Sequence, residues 1–308
     1  MFNINTNQKA IDQLEKNNLQ EAMKLFKKAV LERRDVQSLT NLAWMYLHEE
    51  EDVQAALVLV TEAIELEPYS HFPYSLYGEL LLRYERFEEA LKYLLISISI
   101  EPTPEAYHNV GVAKYYLGDS AEAAKYFGLA AGKSDFTLYN QVECLIDSGQ
   151  TDEAKRILGT FDENDEDFIG EIDLAELYAE LGLFEEAIIW FEKGWESYYK
   201  TPDWIVRFVN ALFKTNQLNK AQILIKEAIQ LKEEELCKVR EDETDEDWTE
   251  LDKQEQVREL MDEIKEYESM IERVTEGVLP ALKIEPSIEG GCYLFGCQRH
   301  EHDEYKHI

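Results

Sequence analysis

Three things are scarce in this sequence: positive charge, cysteine and uninterrupted apolar stretches. Lys and Arg total 31 against 64 for Asp and Glu, a formal net charge of -33 over 308 residues. A field of that sign repels nucleic acid and anionic membranes, so neither is an expected partner. It suits a basic protein or peptide, drawn in by a long-range attraction that salt weakens, and it equally suits the solubility of an exposed helical surface. No run of about 18 apolar residues is present, so no transmembrane helix is expected. Met1 to Lys9 is polar and lacks the apolar core of a secretory signal. The expected location is the cytoplasm.

The four cysteines do not form the dense pairs of a secreted disulfide framework. Cys144 and Cys237 stand alone in helical segments and read as small packing residues; only Cys292 and Cys297 are close together. Catalytic signatures are missing as well: there is no phosphate loop, dinucleotide glycine fingerprint, G-x-S-x-G elbow or H-E-x-x-H helix. His48, His71 and His108 are isolated and read as packing or surface residues rather than acids or bases. The expected protein is not an enzyme.

What is present is a period. Ala22, Phe26 and Ala29 follow one another at i, i+4, i+7, and the same spacing returns at Ala56, Val60, Ala63, at Ala90, Leu94, Ser97 and at Ala123, Phe127, Ala130. Ala154, Leu158, Phe161, then Ala187, Phe191, Gly194, then Ala221, Ile225, Ala228 continue it, with leading alanines 34, 34, 33, 31, 33 and 34 residues apart. That spacing lays one stripe along a helix, and its small residues admit a neighbouring helix closely. Companion stripes lie roughly a dozen residues earlier: Leu42, Ala43, Tyr46; Tyr77, Gly78, Leu81; Val110, Gly111; Leu174, Ala175, Tyr178; Phe208, Val209, Leu212. Gly118, Gly149 and Gly182 sit in the turns between the two helices, and Pro68 and Pro102 close second helices.

A small residue in the first helix, alanine opening the second and proline closing the unit resemble the tetratricopeptide repeat, over some seven units from about Asn3 to Glu235. The first unit departs from the pattern, with only Ala10 and Leu14 in register. The resemblance implies an all-α, right-handed superhelical solenoid of about seven antiparallel helix pairs, with a concave face lined by first helices. It also implies a protein-binding scaffold whose ligand-facing residues come from those first helices. One subgroup of the family clamps a partner's C-terminal carboxylate with Lys, Arg and Asn; that set is missing. By repeat register, the partner-binding candidates are Glu79, Arg83, His108, Tyr115, Tyr116, Tyr139, Glu143, Glu176 and Asn210. Carboxylates mixed with aromatic rings suit a ligand bearing Lys or Arg beside apolar anchors; as aromatics at helical spacing, the same tyrosines also suit a core.

Residues 1–235 are thus expected to form the solenoid, 236–279 an acidic loop and a patterned helix, and 280–308 a linker and tail. Val257, Leu260, Ile264, Tyr267, Ile271, Val274 and Val278 make a heptad seam that needs a partner: the preceding helix, the solenoid's open end or a second subunit. In the tail, Cys292, Cys297, His300 and His302 fall within eleven residues, an inventory suited to a structural zinc ion. His307 or a carboxylate is an alternative ligand, and a redox-active cysteine pair is an alternative reading.

Three functions remain open. The first is a scaffold for a basic protein, including an immunity or antitoxin protein that neutralises a nuclease-type toxin. The second is a peptide- or metal-sensing adaptor whose tail folds into the groove. The third is a metal-dependent or redox enzyme centred on the tail.

Overall fold

The computed structural model describes residues 5–130, 134–245, 248–280, 282 and 284–305; Glu246 and Asp247 of the expected acidic loop, and His307, lie outside them. Among the described residues every regular element is a helix. The pairs are α1 (Thr6–Leu14) with α2 (Leu19–Glu32), α3 (Val36–His48) with α4 (Val53–Glu65), and α5 (Phe72–Arg83) with α6 (Phe87–Ile100). They continue as α7 (Pro104–Tyr116) with α8 (Ser120–Ala130) and α11 (Glu171–Glu180) with α12 (Phe184–Gly194); between them α9 (Asp135–Asp147) packs on α8 and is followed in the chain by α10 (Thr151–Leu158). α13 (Pro202–Lys214) pairs with α14 (Leu218–Glu241), and α15 (Glu250–Thr275) follows.

The period has two physical causes. The stripe residues of the second helices are buried, from Ala22, Phe26 and Ala29 through to Ala221, Ile225 and Ala228, with Ala130 half-buried; Phe161, expected on the same stripe, falls outside α10, which ends at Leu158. The small first-helix residues let the bulky ones seat: a Cβ built on Gly78 would stand 2.5 Å from the Leu94 side chain. The second cause is the turn. Every turn from a first helix to the second helix that follows it carries one left-handed residue, at Asn17, Glu51, Glu85, Gly118, Gly149, Gly182 and Asn216, in step with the alanines. That conformation lets the N–H after it return to a carbonyl of the last turn, as Asp119 N does to Lys114 O at 2.9 Å and Arg86 N to Leu81 O at 2.9 Å.

The chain forms two compact units, Met1–Ser148 with Glu285–Ile308, and Gly149–Ile284. In the first, α1, α3, α5 and α7 pack each on the next as well as on their own partners. In the second, α15 folds back along α14 and against α13. Tyr267, Met270 and Val274 enter the core of α11 to α14, while Leu260 joins Leu236 and Val239 in a smaller cluster. Cys144 is buried as expected, but Cys237 is exposed: Leu236 and Val239 take the packed face of α14, and Cys237 falls on the other side.

Candidate functional site

Each first helix carries a short polar or acidic residue at one repeat position: Asn7, Asn41, Ser75, Asn109, Glu143, Glu176 and Asn210. All but Glu176, which is half-buried, are buried. In the first unit, residues 285–305 lie across these helices in extended and turn conformation, running from α7 towards α1.

Two rungs of this ladder hold the segment by its backbone. Asn109 Nδ2 donates to Glu289 O at 2.7 Å, and Glu289 N donates to Asn109 Oδ1 at 2.9 Å. Asn41 does the same for Phe295, Nδ2 to O at 3.0 Å and N to Oδ1 at 2.9 Å. An amide side chain alone offers this matched donor and acceptor to a peptide unit. The middle rung, Ser75, turns away and shares a 2.6 Å hydrogen bond with Ser97. Trp44 Nε1 donates to Gly291 O at 2.8 Å and Gln8 Nε2 to Gly296 O at 3.2 Å. Between the clamps Tyr293, Leu294 and Phe295 are buried, with the Phe72 ring 4.9 Å from that of Phe295.

The expected partner-binding residues divide between the units. Glu79 is fully buried on α5; its Oε1 accepts from Arg83 at 3.0 Å and stands 3.7 Å from His48 Nε2. Burial pushes the Glu79 carboxyl up to about 7 against the pull of Arg83, and burial together with Arg83 pushes His48 down to about 4. His48 is therefore neutral at pH 7 and the contact is not an ion pair. His108 Nε2 lies 3.0 Å from Ser287 O, a pure acceptor, so Nε2 carries the proton and Nδ1 accepts from Thr137 Oγ1 at 3.1 Å. Tyr116 stacks on Phe87 at 4.7 Å, and with Arg83 it lines a hollow closed by Pro286 and Ile288. Tyr115 is half-buried, its ring edge-on to Tyr116. Tyr139 and Glu143 sit on α9. Glu176 and Asn210 belong to the second unit; Glu176 faces Arg207 at 3.4 Å, and Arg207 also bonds Glu180 and Pro280 O. Burial pushes Glu176 up to about 7, with Arg207 opposing.

The tail's donor groups gather beside the buried triplet. Donor atoms of Cys292, Cys297 and His300 all lie within 4.8 Å of one another, and Cys297 Sγ is 3.3 Å from His300 Nδ1. His302 Nδ1 is 4.0 Å from Cys292 Sγ, but its proton is committed to Leu294 O at 3.1 Å. Burial pushes the Cys292 thiol up to about 12, with a hydrogen bond from the Leu294 backbone opposing. A cavity of about 810 Å³ opens here, lined by His71, Phe72, Glu101, Cys292, His300 and His302 among others.

Asn41, Asn109 and Trp44, which bond the backbone of the segment, are not among the residues that repeat register and charge single out. For the two asparagines the signal is the polar ladder, whose positions follow one another at 34, 34, 34, 34, 33 and 34 residues. A side-chain amide recurring at a buried position has to find a backbone to bond.

Comparison with known proteins agrees with this architecture. A tetratricopeptide repeat family model matches residues 172–197, which span α11 and α12. No curated protein matches the chain. Among solved structures, a tetratricopeptide repeat protein from Parabacteroides merdae is 19% identical with a TM-score of 0.52, over 83% of this chain and 97% of its own. The C-terminal part of a repeat-containing protein from Cytophaga hutchinsonii is 15% identical with a TM-score of 0.57, over 73% of this chain and 95% of its own. No helix among the described residues is long and apolar enough to cross a membrane. The chain thus carries a tetratricopeptide repeat at residues 172–197, within a helical-repeat fold that it shares with tetratricopeptide repeat proteins.

Proposed function

We propose that the chain is a non-catalytic protein-binding scaffold that takes an extended segment of a partner along its first helices, and that its own residues 285–305 hold that groove until a partner displaces them. The observation that carries this reading is the pair of asparagine clamps, Asn41 on Phe295 and Asn109 on Glu289, which grip backbone and so accept more than one sequence. The partner's class follows from charge: a chain at -33 draws a basic protein, of which a nuclease-type toxin is one form. This joins the scaffold and the tail-gated adaptor into one mechanism.

Two ways of freeing the tail separate the roles. Tyr293→Ala with Phe295→Ala strips the tail's anchors and leaves the groove intact; Asn41→Ala with Asn109→Ala frees the tail and disables the groove. Capture from the native cell with the full-length variants should yield more of a basic partner with the first pair than with wild type, and none with the second, with yields falling as salt rises. Equal capture by both variants would refute the reading.

A further inference from the structure

We propose that Cys292, Cys297 and His300 bind a zinc-type divalent ion, and that this ion latches the tail into the groove. The donor types carry the first half. Two thiolates and an imidazole are the soft and borderline ligands that zinc selects over calcium or magnesium. Bonds of about 2.3 Å to sulfur and 2.0 to 2.1 Å to nitrogen place the donors of a tetrahedral ion roughly 3.4 to 3.8 Å apart. The three donors already stand at 3.3 Å for the Cys297–His300 pair and within 4.8 Å for all. A small contraction closes the set. Glu15 Oε1, 4.0 Å from Cys297 Sγ, flanks it as a further donor, whereas His302 Nδ1 keeps its proton on Leu294 O.

The arrangement is built rather than accidental. Backbone bonds fold the turn that brings the donors together, Cys297 N to Leu294 O at 3.3 Å and His302 N to Cys297 O at 2.9 Å. Glu15 holds the same turn from the end of α1, accepting Gln298 N at 2.9 Å on its carboxylate and Arg299 at 2.8 Å on its backbone carbonyl. On binding, the ion replaces the two thiol protons, which leave to the buffer, and forms two Zn–S bonds and one Zn–N bond.

The second half follows from where the ligands lie. Cys292 and Cys297 bracket Tyr293, Leu294 and Phe295, the triplet buried in the groove. An ion joining the bracket fixes the triplet's loop before it docks, so the loop's ordering entropy no longer opposes docking. Metal thus tightens the tail and withdraws the groove from partners; loss of metal opens it. This half rests on the reading that residues 285–305 occupy the groove.

The test uses the full-length chain under reductant. Cobalt(II) added to metal-free protein should bind one per chain with a thiolate charge-transfer band, and the Cys292→Ser, Cys297→Ser double variant should lose the band while keeping the wild-type far-ultraviolet dichroism. No band in reduced wild type, or an equal band in the variant, overturns the site. Zinc should raise amide exchange protection over residues 291–298 by about tenfold or more, as closing a short loop predicts, and should leave the double variant unmoved. Protection that zinc does not change overturns the latch. Failure of the groove reading is distinguishable, because it would appear in metal-free protein as tail protection indifferent to Asn41→Ala.

Discussion

Replacing Asn41 by alanine should release the tail without unfolding the unit that holds it. Asn41 and Phe295 are both buried, and their two hydrogen bonds, at 3.0 and 2.9 Å, satisfy both polar groups of the Phe295 backbone. Each such bond contributes about 1 kcal/mol net, and a buried backbone group left unpaired costs about 1 to 3 kcal/mol. Because the shorter side chain leaves space that water enters in part, the expected penalty against docking is about 2 to 4 kcal/mol. At about 1.4 kcal/mol per factor of ten, the docking equilibrium falls roughly 30- to 1,000-fold. Hydrogen–deuterium exchange read by mass spectrometry on peptides spanning 291–298 measures this directly. The tail peptides should lose protection by that factor while those of α11 to α15 keep theirs. Ser75→Ala is the control: it sits at the same repeat position but bonds Ser97, so it should leave the tail protected. If Asn41→Ala left 291–298 as protected as in the wild type, the backbone clamp would be refuted.

Four further outcomes follow from the same structure. Gly296 has φ of +86° and a Cβ there would stand 2.7 Å from Gln8 Oε1, so Gly296→Ala should loosen the tail by about 1 to 2 kcal/mol in the same exchange measurement. Gly78→Ala would push a methyl to 2.5 Å from Leu94 and should lower the stability of the first unit by about 1 to 3 kcal/mol in thermal or urea melts. Glu85 occupies the left-handed turn position at φ of +56° where three other repeats place glycine; Glu85→Gly should raise stability by up to about 1 kcal/mol. Desolvation of the half-buried Glu176 carboxyl pushes it up to about 7 in the folded chain against 4.5 when free, so the folded state holds its proton more tightly. Its contribution to stability is therefore complete below pH 4.5 and is lost as pH rises through 7, a fall of about 3 kcal/mol. Melts of wild type between those values should show the fall, and Glu176→Gln should flatten it.

Much of this molecule is legible in its sequence. The alanine-led stripes, one per repeat, gave the helix pairs and their faces, because a helix buries residues at i, i+4 and i+7 whatever lies beyond it. The left-handed turn residue was legible where it is glycine, at 118, 149 and 182, and hidden at Glu51 and Glu85, where packing of the pair imposes the conformation on a residue that does not advertise it. The Cys and His content of the tail was legible by type, and repeat register placed Glu79, Arg83, His108 and Tyr116 on first helices.

Local sequence thus determined the all-helical repeat, its period, its first and second helices and the chemical inventory of the tail, since each depends on residues within one or two turns of each other. Tertiary structure alone decided what the groove holds. Asn41 and Phe295 are separated by 254 residues, and Asn109 and Glu289 by 180. No periodic pattern couples positions so far apart; only the packed repeats bring the amides to one line, and only the buried Tyr293, Leu294 and Phe295 bring the tail back to meet them.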